Sequence, residues 1–514
     1  MGIAPCSMWN RANQGGLCDT GGPFCPFLGE PMSILPSHDL PELEHFEHPL
    51  SSRYASKAMV RILSPLYRMR VWRRLWIALA ESEMELGLPV TQAQVDELRA
   101  TQDTVDLEAI ARHEAALRHD VMAAIHAWGE QAPGARPIIH LGATSCFVTD
   151  NGDLLICHEA LKLIRSRLQD VMAALSTFAG EWADQPCLGF THFQPAQPTT
   201  VGKRACLWIQ DLLLDLEDLD HMIRTTPVRG VKGVTGTQAS FLELFEGAGA
   251  KVDALEQRFC EKVGYPAIPV SGQTATRKLE DRIGQVLSGI AASASKFACD
   301  MRLLQHMKEV EEPFEKKQIG SSAMPYKRNP MRSERINSLA RFTLGLMPST
   351  YQTSATQWME RTLDDSAHRR LTISQGLLAV DAILTLYLNV ASGLVVNPRM
   401  IEARLQGELP FMAAEVLLME AVTRGGDRQD LHENFRVASL EAGRRIKQEG
   451  KGNELLSLLA ADPAWNMSEA ELKALLDPHR FTGRAADQVR HFLAQEVAKA
   501  LTDHVRAEIA EVRV

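Results

Sequence analysis

The segment Ser321-Ser322-Ala323-Met324-Pro325-Tyr326-Lys327-Arg328-Asn329-Pro330 says more about this chain than any other ten residues. Two hydroxyls follow Gly320, two cations follow Tyr326, and Asn329-Pro330 stands where a helix begins. Asn is a favoured N-cap, and proline suits a first turn whose N–H would lack a partner. A helix N-terminus beside Lys327 and Arg328 is therefore expected to receive anionic oxygens. On composition alone the same residues also describe a solvated Gly/Ser loop.

Working outward from this segment, helical periodicity dominates and strand-like alternation is scarce. Leu66 to Leu86 places Trp72, Leu75, Trp76 and Leu79 on one stripe and stops at Gly87 with Pro89 beyond. Five long segments follow: Asp153 to Phe178, Thr199 to Thr226, Thr276 to Glu312, Pro330 to Met347 and Ser366 to Val396. At 1.5 Å per residue the third would reach about 55 Å. Apolar stripes of this length are buried by helix-on-helix association, so the expectation is all-α with a long-helix bundle. Leu377 to Val396 is apolar enough to suggest a membrane span, but it carries Asp381 and Asn389, and a bundle helix is the better reading. Gly230, Gly233 and Gly236 fit neither the dinucleotide nor the Walker spacing and read as a turn between helices.

Composition narrows the function classes. The 514 residues exceed one core and suggest two to four domains. A formal charge of −9 argues against nucleic acid as the main partner, while local basic clusters suit a small anionic ligand. The nine cysteines match no zinc pattern. Cys146, Cys157, Cys187, Cys206, Cys260 and Cys299 lie in or beside helical segments, as buried free thiols do, which suits a reducing cytoplasm. Residues 1–43, rich in Gly, Pro and Cys, lack the basic and apolar regions of a secretory signal and read as a disordered extension.

Gly320 to Arg335 resembles the signature loop of the fumarase/aspartase superfamily, and its wording is most similar to the animal-type adenylosuccinate lyase branch; the similarity runs from about Glu44 to the C-terminus. That resemblance implies three helical domains: 44–145, a central five-helix domain at 146–396 whose copies pack into a homotetrameric core, and 397–514. It also implies elimination of fumarate from adenylosuccinate and from the succinylated imidazole-carboxamide ribotide, SAICAR, in purine synthesis. Such a reaction needs a base for a carbon-bound proton, an acid for the leaving nitrogen and cations around the carboxylates. No metal or organic cofactor is called for.

The resemblance also assigns residues. His192, in Thr191-His192-Phe193 of a proline-punctuated loop, matches the general acid, and Thr191 a substrate contact. Ser321 matches the catalytic serine and Lys327 the lysine that activates it or meets a substrate carboxylate, with Asn329 alongside. The Gly/Ser composition suggests a flap that closes on substrate. Arg118, His119 and Asp120 match a substrate-binding Arg-His-Asp motif. Thr144 and Ser145 match contacts to the succinyl carboxylates, and Gln273 matches a further substrate-binding position. Arg53, Tyr54, Arg335, Arg361, Ser366 and Arg370 match further substrate positions, the first three and Ser366 on the phosphate side. Glu334 is expected to offset part of this charge by pairing with His192 or Lys327. Argininosuccinate lyase, fumarase or a non-catalytic helical scaffold share the architecture and remain open readings.

Overall fold

A computed structural model describes residues 46–315 and 318–506. The 1–43 extension lies outside them, as do three of the nine cysteines. The helices that position the site are α1 (Pro65–Glu85), α2 (Leu107–Leu117), α3 (Asp120–Gln131), α4 (Ser145–Glu181), α5 (Val201–Thr225), α6 (Lys278–His306), α7 (Met331–Leu346), α8 (Ser349–Ala355) and α9 (Asp365–Ala391). Helices α4, α5, α6, α7 and α9 pack on one another as an all-α bundle around Leu168, Ile209, Leu287, Ile290, Ile336, Leu377 and Tyr387. Their buried stripes are the reason the segments are helical: each repeats at helical spacing and buries against a neighbour. A second core joins α1 and α3 to the helix Gly249–Val263 around Trp72, Trp76, Trp128 and Phe259. A third holds Leu417, Leu431, Leu455 and Trp465 near the C-terminus.

Where the structure departs from the expected elements, local packing explains it. The longest helix is α4, 37 residues rather than the segment 153–178. It runs through Gly152 because a side chain there would strike the Trp72 indole, so the glycine marks a close crossing with α1 and not a stop. The segment expected to run helical to Glu312 ends instead at His306, where Lys308 turns left-handed (φ 60). Helix α9 likewise stops at Ala391, short of Val396. The two overshoots are one feature: strands β3 (Val310–Glu311) and β4 (Val395–Val396) pair antiparallel and tie the ends of α6 and α9 together. Each run is two residues long and contains valine, and periodicity alone does not separate so short a strand from the helix before it.

The apolar helix α9 is long enough to cross a membrane, yet 78% of its most apolar window is buried within the protein. Its Asp381 is answered inside the bundle by Arg167 Nε (2.7 Å) and by the Ser56 backbone N–H (2.6 Å) and hydroxyl (3.1 Å). A charge so paired belongs to a protein core. Of the six cysteines in the described residues, Cys146, Cys157, Cys187 and Cys206 are buried and Cys260 is half-buried, as expected; Cys299 is exposed.

Candidate active site

The residues named from sequence fall into four places on one chain. The richest joins α2, α3, α4 and the loop before α9. Arg118 caps the C-terminus of α2 in the left-handed region (φ 55), so the chain breaks and restarts at once with His119 as N-cap of α3. His119 Nδ1 accepts the Met122 backbone N–H (3.3 Å), which leaves Nε2 to carry the ring proton and donate to Ser145 Oγ at 3.2 Å. Asp120 Oδ2 accepts from Arg370 (3.1 Å). Arg361 Nη1 donates to Gln273 Oε1 (2.7 Å) and to Cys146 Sγ (3.1 Å), and Gln273 Nε2 faces Thr144 Oγ1 at 3.5 Å. Ser366 lies in the first turn of α9, between Arg361 and Arg370.

Beneath this cluster lies a buried ion-pair lattice that the sequence did not advertise. Arg277 reaches Asp150 (3.1 Å), Glu280 (3.1 Å) and Asp365 (2.6 Å); Arg369 reaches Glu280 (2.8 Å) and Asp153 (3.1 Å). Burial pushes the Asp150 carboxyl up, but Arg277, Arg369 and the Ala275 N–H outweigh it and hold it below the ordinary range. The lattice fixes α4, the 273–277 segment and the start of α9 relative to one another, and so sets the spacing of Thr144, Gln273 and Arg370. A second omission is His140. It accepts the Trp76 indole N–H (2.9 Å) in the wall of the second core, and burial, with the nearby His119 ring, lowers its pKa to about 4. An uncharged ring beside His119 was invisible to motif reading; only its place next to the Leu141–Ser145 turn gives it away.

The second place is a groove of about 450 Å³ between the 48–54 turn and α7. Tyr54, Glu334 and Arg335 line it, Arg335 Cζ sits 5.5 Å from the Tyr54 ring centre, and Arg53 sits 5.9 Å from the same ring. No hydrogen bond or ion pair among the described residues of one chain joins Glu334 to His192 or Lys327; Glu334 lines this groove.

The third place is a hairpin, not the loop expected. Strands β1 (Pro186–Thr191) and β2 (Gln194–Thr200) pair antiparallel, with Thr191 opposite Gln194. His192 and Phe193 form the two-residue turn, both left-handed (φ 52 and 56). Such a turn normally takes Asn-Gly, because non-glycine residues are strained at positive φ. The tip presents His192 to solvent, with Phe193 52% exposed beside it. Prolines 195 and 198 sit in β2 of a two-stranded sheet, where an edge tolerates a missing N–H.

The fourth place is the 318–330 loop. Ser321 Oγ accepts the Met324 backbone N–H (3.1 Å), the Lys327 N–H returns to the Met324 carbonyl (3.0 Å), and Asn329 Nδ2 donates to the Gly320 carbonyl (2.7 Å). A side chain at Gly320 would collide with the Lys327 carbonyl, which is why this turn needs glycine. Asn329 thus closes the loop and does not cap α7. The cap comes from Glu312: its carboxylate accepts the N–H groups of Arg332 and Ser333 and the Ser333 hydroxyl, each at 3.0 Å. The helix N-terminus expected to receive an incoming anion already holds this one. Lys327, Arg328 and Ser322 are exposed. No hydrogen bond or ion pair among the described residues joins His192, Ser321 or Lys327 to the His119 cluster.

Two family models match this chain, "Lyase" over residues 67–345 and "Adenylosuccinate lyase C-terminus" over 410–492. Adenylosuccinate lyase of Saccharomyces cerevisiae is 49% identical over 90% of this chain and 97% of its own. The chain belongs to the adenylosuccinate lyase family. A further member, from Schistosoma mansoni, is 46% identical over 90% of this chain and 96% of its own. Among solved structures, the 3-carboxy-cis,cis-muconate lactonizing enzyme of Pseudomonas putida superposes with a TM-score of 0.76 at 25% identity, covering 88% of this chain and 99% of that one. The family is one of carbon–nitrogen lyases, and the all-α bundle is the fumarase/aspartase architecture.

Proposed function

We propose that this chain eliminates fumarate from adenylosuccinate, leaving AMP, and from SAICAR, leaving AICAR, within cytoplasmic purine synthesis. The observation that carries the reading is the 49% identity to an adenylosuccinate lyase across nearly the whole of both chains. The polar cluster supports it chemically. His119, Thr144, Ser145, Gln273, Arg361 and Arg370 offer neutral donors and two guanidinium groups around one space, a set suited to a dicarboxylate. The Tyr54–Arg335 groove adds an aromatic face with cations for a nucleoside phosphate.

In the proposed reaction Ser321 takes the proton from the carbon next to a carboxylate. Lys327 steadies the charge that develops, and His192 protonates the departing nitrogen. His192 is exposed at a hairpin tip and Ser321 is half-buried in a separate loop, and no hydrogen bond or ion pair among the described residues joins either to the carboxylate-binding cluster. A complete site therefore draws on more than one copy, which favours the homotetramer, with the long bundle as its core. A phosphate-free superfamily substrate would leave the Tyr54–Arg335 groove without a purpose. Purified protein given adenylosuccinate should show the ultraviolet change of succinyl-purine becoming AMP. Turnover of argininosuccinate or malate instead, or of none of these, would reject the proposal.

A further inference from the structure

The loop 356–364 carries Arg361 into the carboxylate-binding cluster, and apart from Arg361 itself its large side chains do little to hold it there. Within the chain Trp358 is 73% exposed, Met359 98% and Leu363 64%, and Met359 is left-handed (φ 43). Its backbone touches the rest of the chain where the Gln273 N–H donates to the Glu360 carbonyl (3.1 Å), against a glycine, Gly272, whose side chain would clash there. Within the loop Gln357 Nε2 donates to Asp364 Oδ1 (3.4 Å), and the flanking helices are joined by one histidine. His368, in the first turns of α9, places Nδ1 at 2.7 Å from Thr353 Oγ1 and Nε2 at 2.8 Å from Ser349 Oγ, both on α8. Thr372 Oγ1 lies 3.0 Å from the same Nε2.

The tautomer follows from where the hydroxyl protons go. Ser349 donates to the Leu346 carbonyl at 2.6 Å, so it accepts from Nε2–H, and Nδ1 is left to accept the Thr353 hydroxyl. Both ring nitrogens are satisfied across the α8–α9 joint. Thr353 precedes the loop and His368 follows it, so the ring closes the loop as a cross-link would, reducing the conformations open to residue 361.

We propose that His368 is a positioning residue for substrate binding: it staples α8 to α9 and thereby holds Arg361 in register with Gln273 and Thr144. The proposal rests on the reading of Arg361 as a substrate-binding group. His368 touches no reacting atom, and its effect passes through the loop.

Steady-state kinetics of the full chain on adenylosuccinate tests this. His368→Ala should raise KM about 3- to 30-fold, the weight of one or two hydrogen bonds. Turnover should stay within about twofold, because a group that binds ground and transition states alike moves KM alone. Thr353→Val should shift KM the same way by less, and His368→Asn, which keeps a donor and an acceptor, should recover part of the loss. The deciding measurement is the double variant His368→Ala/Arg361→Ala: its KM should match that of Arg361→Ala, since a staple has nothing left to position. Multiplying single effects, or a normal KM in both His368→Ala and Thr353→Val, would overturn the staple while leaving Arg361 as a binding residue. A normal KM in Arg361→Ala would instead remove the binding assignment, and the staple with it. Should His368→Ala not fold, Thr353→Val and its double variant with Arg361→Ala carry the same test.

Discussion

Glu83 is a carboxyl group at the heart of the second core, wholly buried on α1, with neither oxygen hydrogen-bonded. Burial raises its pKa from 4.5 to about 9. In the unfolded chain it ionises above its ordinary pKa, whereas the folded chain keeps the proton until about pH 9. The folded state therefore binds the extra proton throughout that window, and stability falls as pH rises, by about 1.4 kcal/mol per unit. From the ordinary pKa to pH 7 the loss is about 3 kcal/mol as an upper figure, and it levels off above about pH 9. Glu83→Met keeps the length, removes the charge and removes the unmet oxygens. Its urea midpoint should exceed that of the parent at neutral pH, and the gap should widen between about pH 6 and about pH 8.5. Tryptophan fluorescence is a suitable probe because Trp72, Trp76 and Trp128 share this core. A gap that stays constant with pH, or a variant less stable than the parent at the alkaline end, would refute the reasoning.

Other perturbations follow from the site and the bundle. Ser321→Ala and His192→Ala should each lower turnover by about 10²–10⁴-fold. Mixing the two inactive proteins should restore part of it, and a failure to complement in the steady-state assay would count against sites shared between copies. Phe193→Gly relieves a left-handed residue worth about 1–2 kcal/mol, so amide exchange at Thr191 and Gln194 should slow; unchanged protection would mean that the turn stores no strain. Arg167→Met strands Asp381 in the bundle and should cost about 3–5 kcal/mol, whereas Arg167→Met with Asp381→Leu should recover most of it. Thermal unfolding of the two variants side by side decides this one.

Much of the architecture was legible because long helices repeat one physical requirement many times. Each apolar stripe in 145–391 restates the same burial, and prolines or glycines mark most boundaries. What escaped was every feature set by one contact at a distance. Gly152 reads as a helix breaker until Trp72 is seen against it. Val310 reads as helix interior and Val396 as a helix end until the two are seen paired. The hairpin at His192 was hidden because its turn uses His-Phe where glycine or asparagine would announce it. The His119 cluster was readable as motifs, but the lattice of Asp150, Arg277, Asp365 and Arg369 that spaces it was not: isolated charges on helices look alike whether solvated or buried. His368 escaped for the same reason, since a lone histidine before two arginines carries no signal until Ser349 and Thr353 are placed around it.

The Glu312 cap changes how Ser321 can be made basic. A helix N-terminus offers its partial charge through free N–H groups, and here the first ones of α7 are bound to a buried carboxyl. Little of that field remains for an alkoxide on the 318–330 loop. What Ser321 does have is the Met324 N–H at 3.1 Å, a bond that strengthens once the oxygen carries a full charge. The hydroxyl accepts this one donor and keeps its own proton until a stronger positive charge stabilises the alkoxide. One N–H is a modest stabiliser, and the chemistry requires more. Lys327 shares the turn, its backbone N–H fixed to the Met324 carbonyl, while its ammonium stays in solvent. Under the proposed reaction the charge on Lys327 must therefore come to Ser321 when substrate closes the loop and water leaves, because in open solvent a lysine several residues away contributes little. Activation of the base and closure of the loop then become one event.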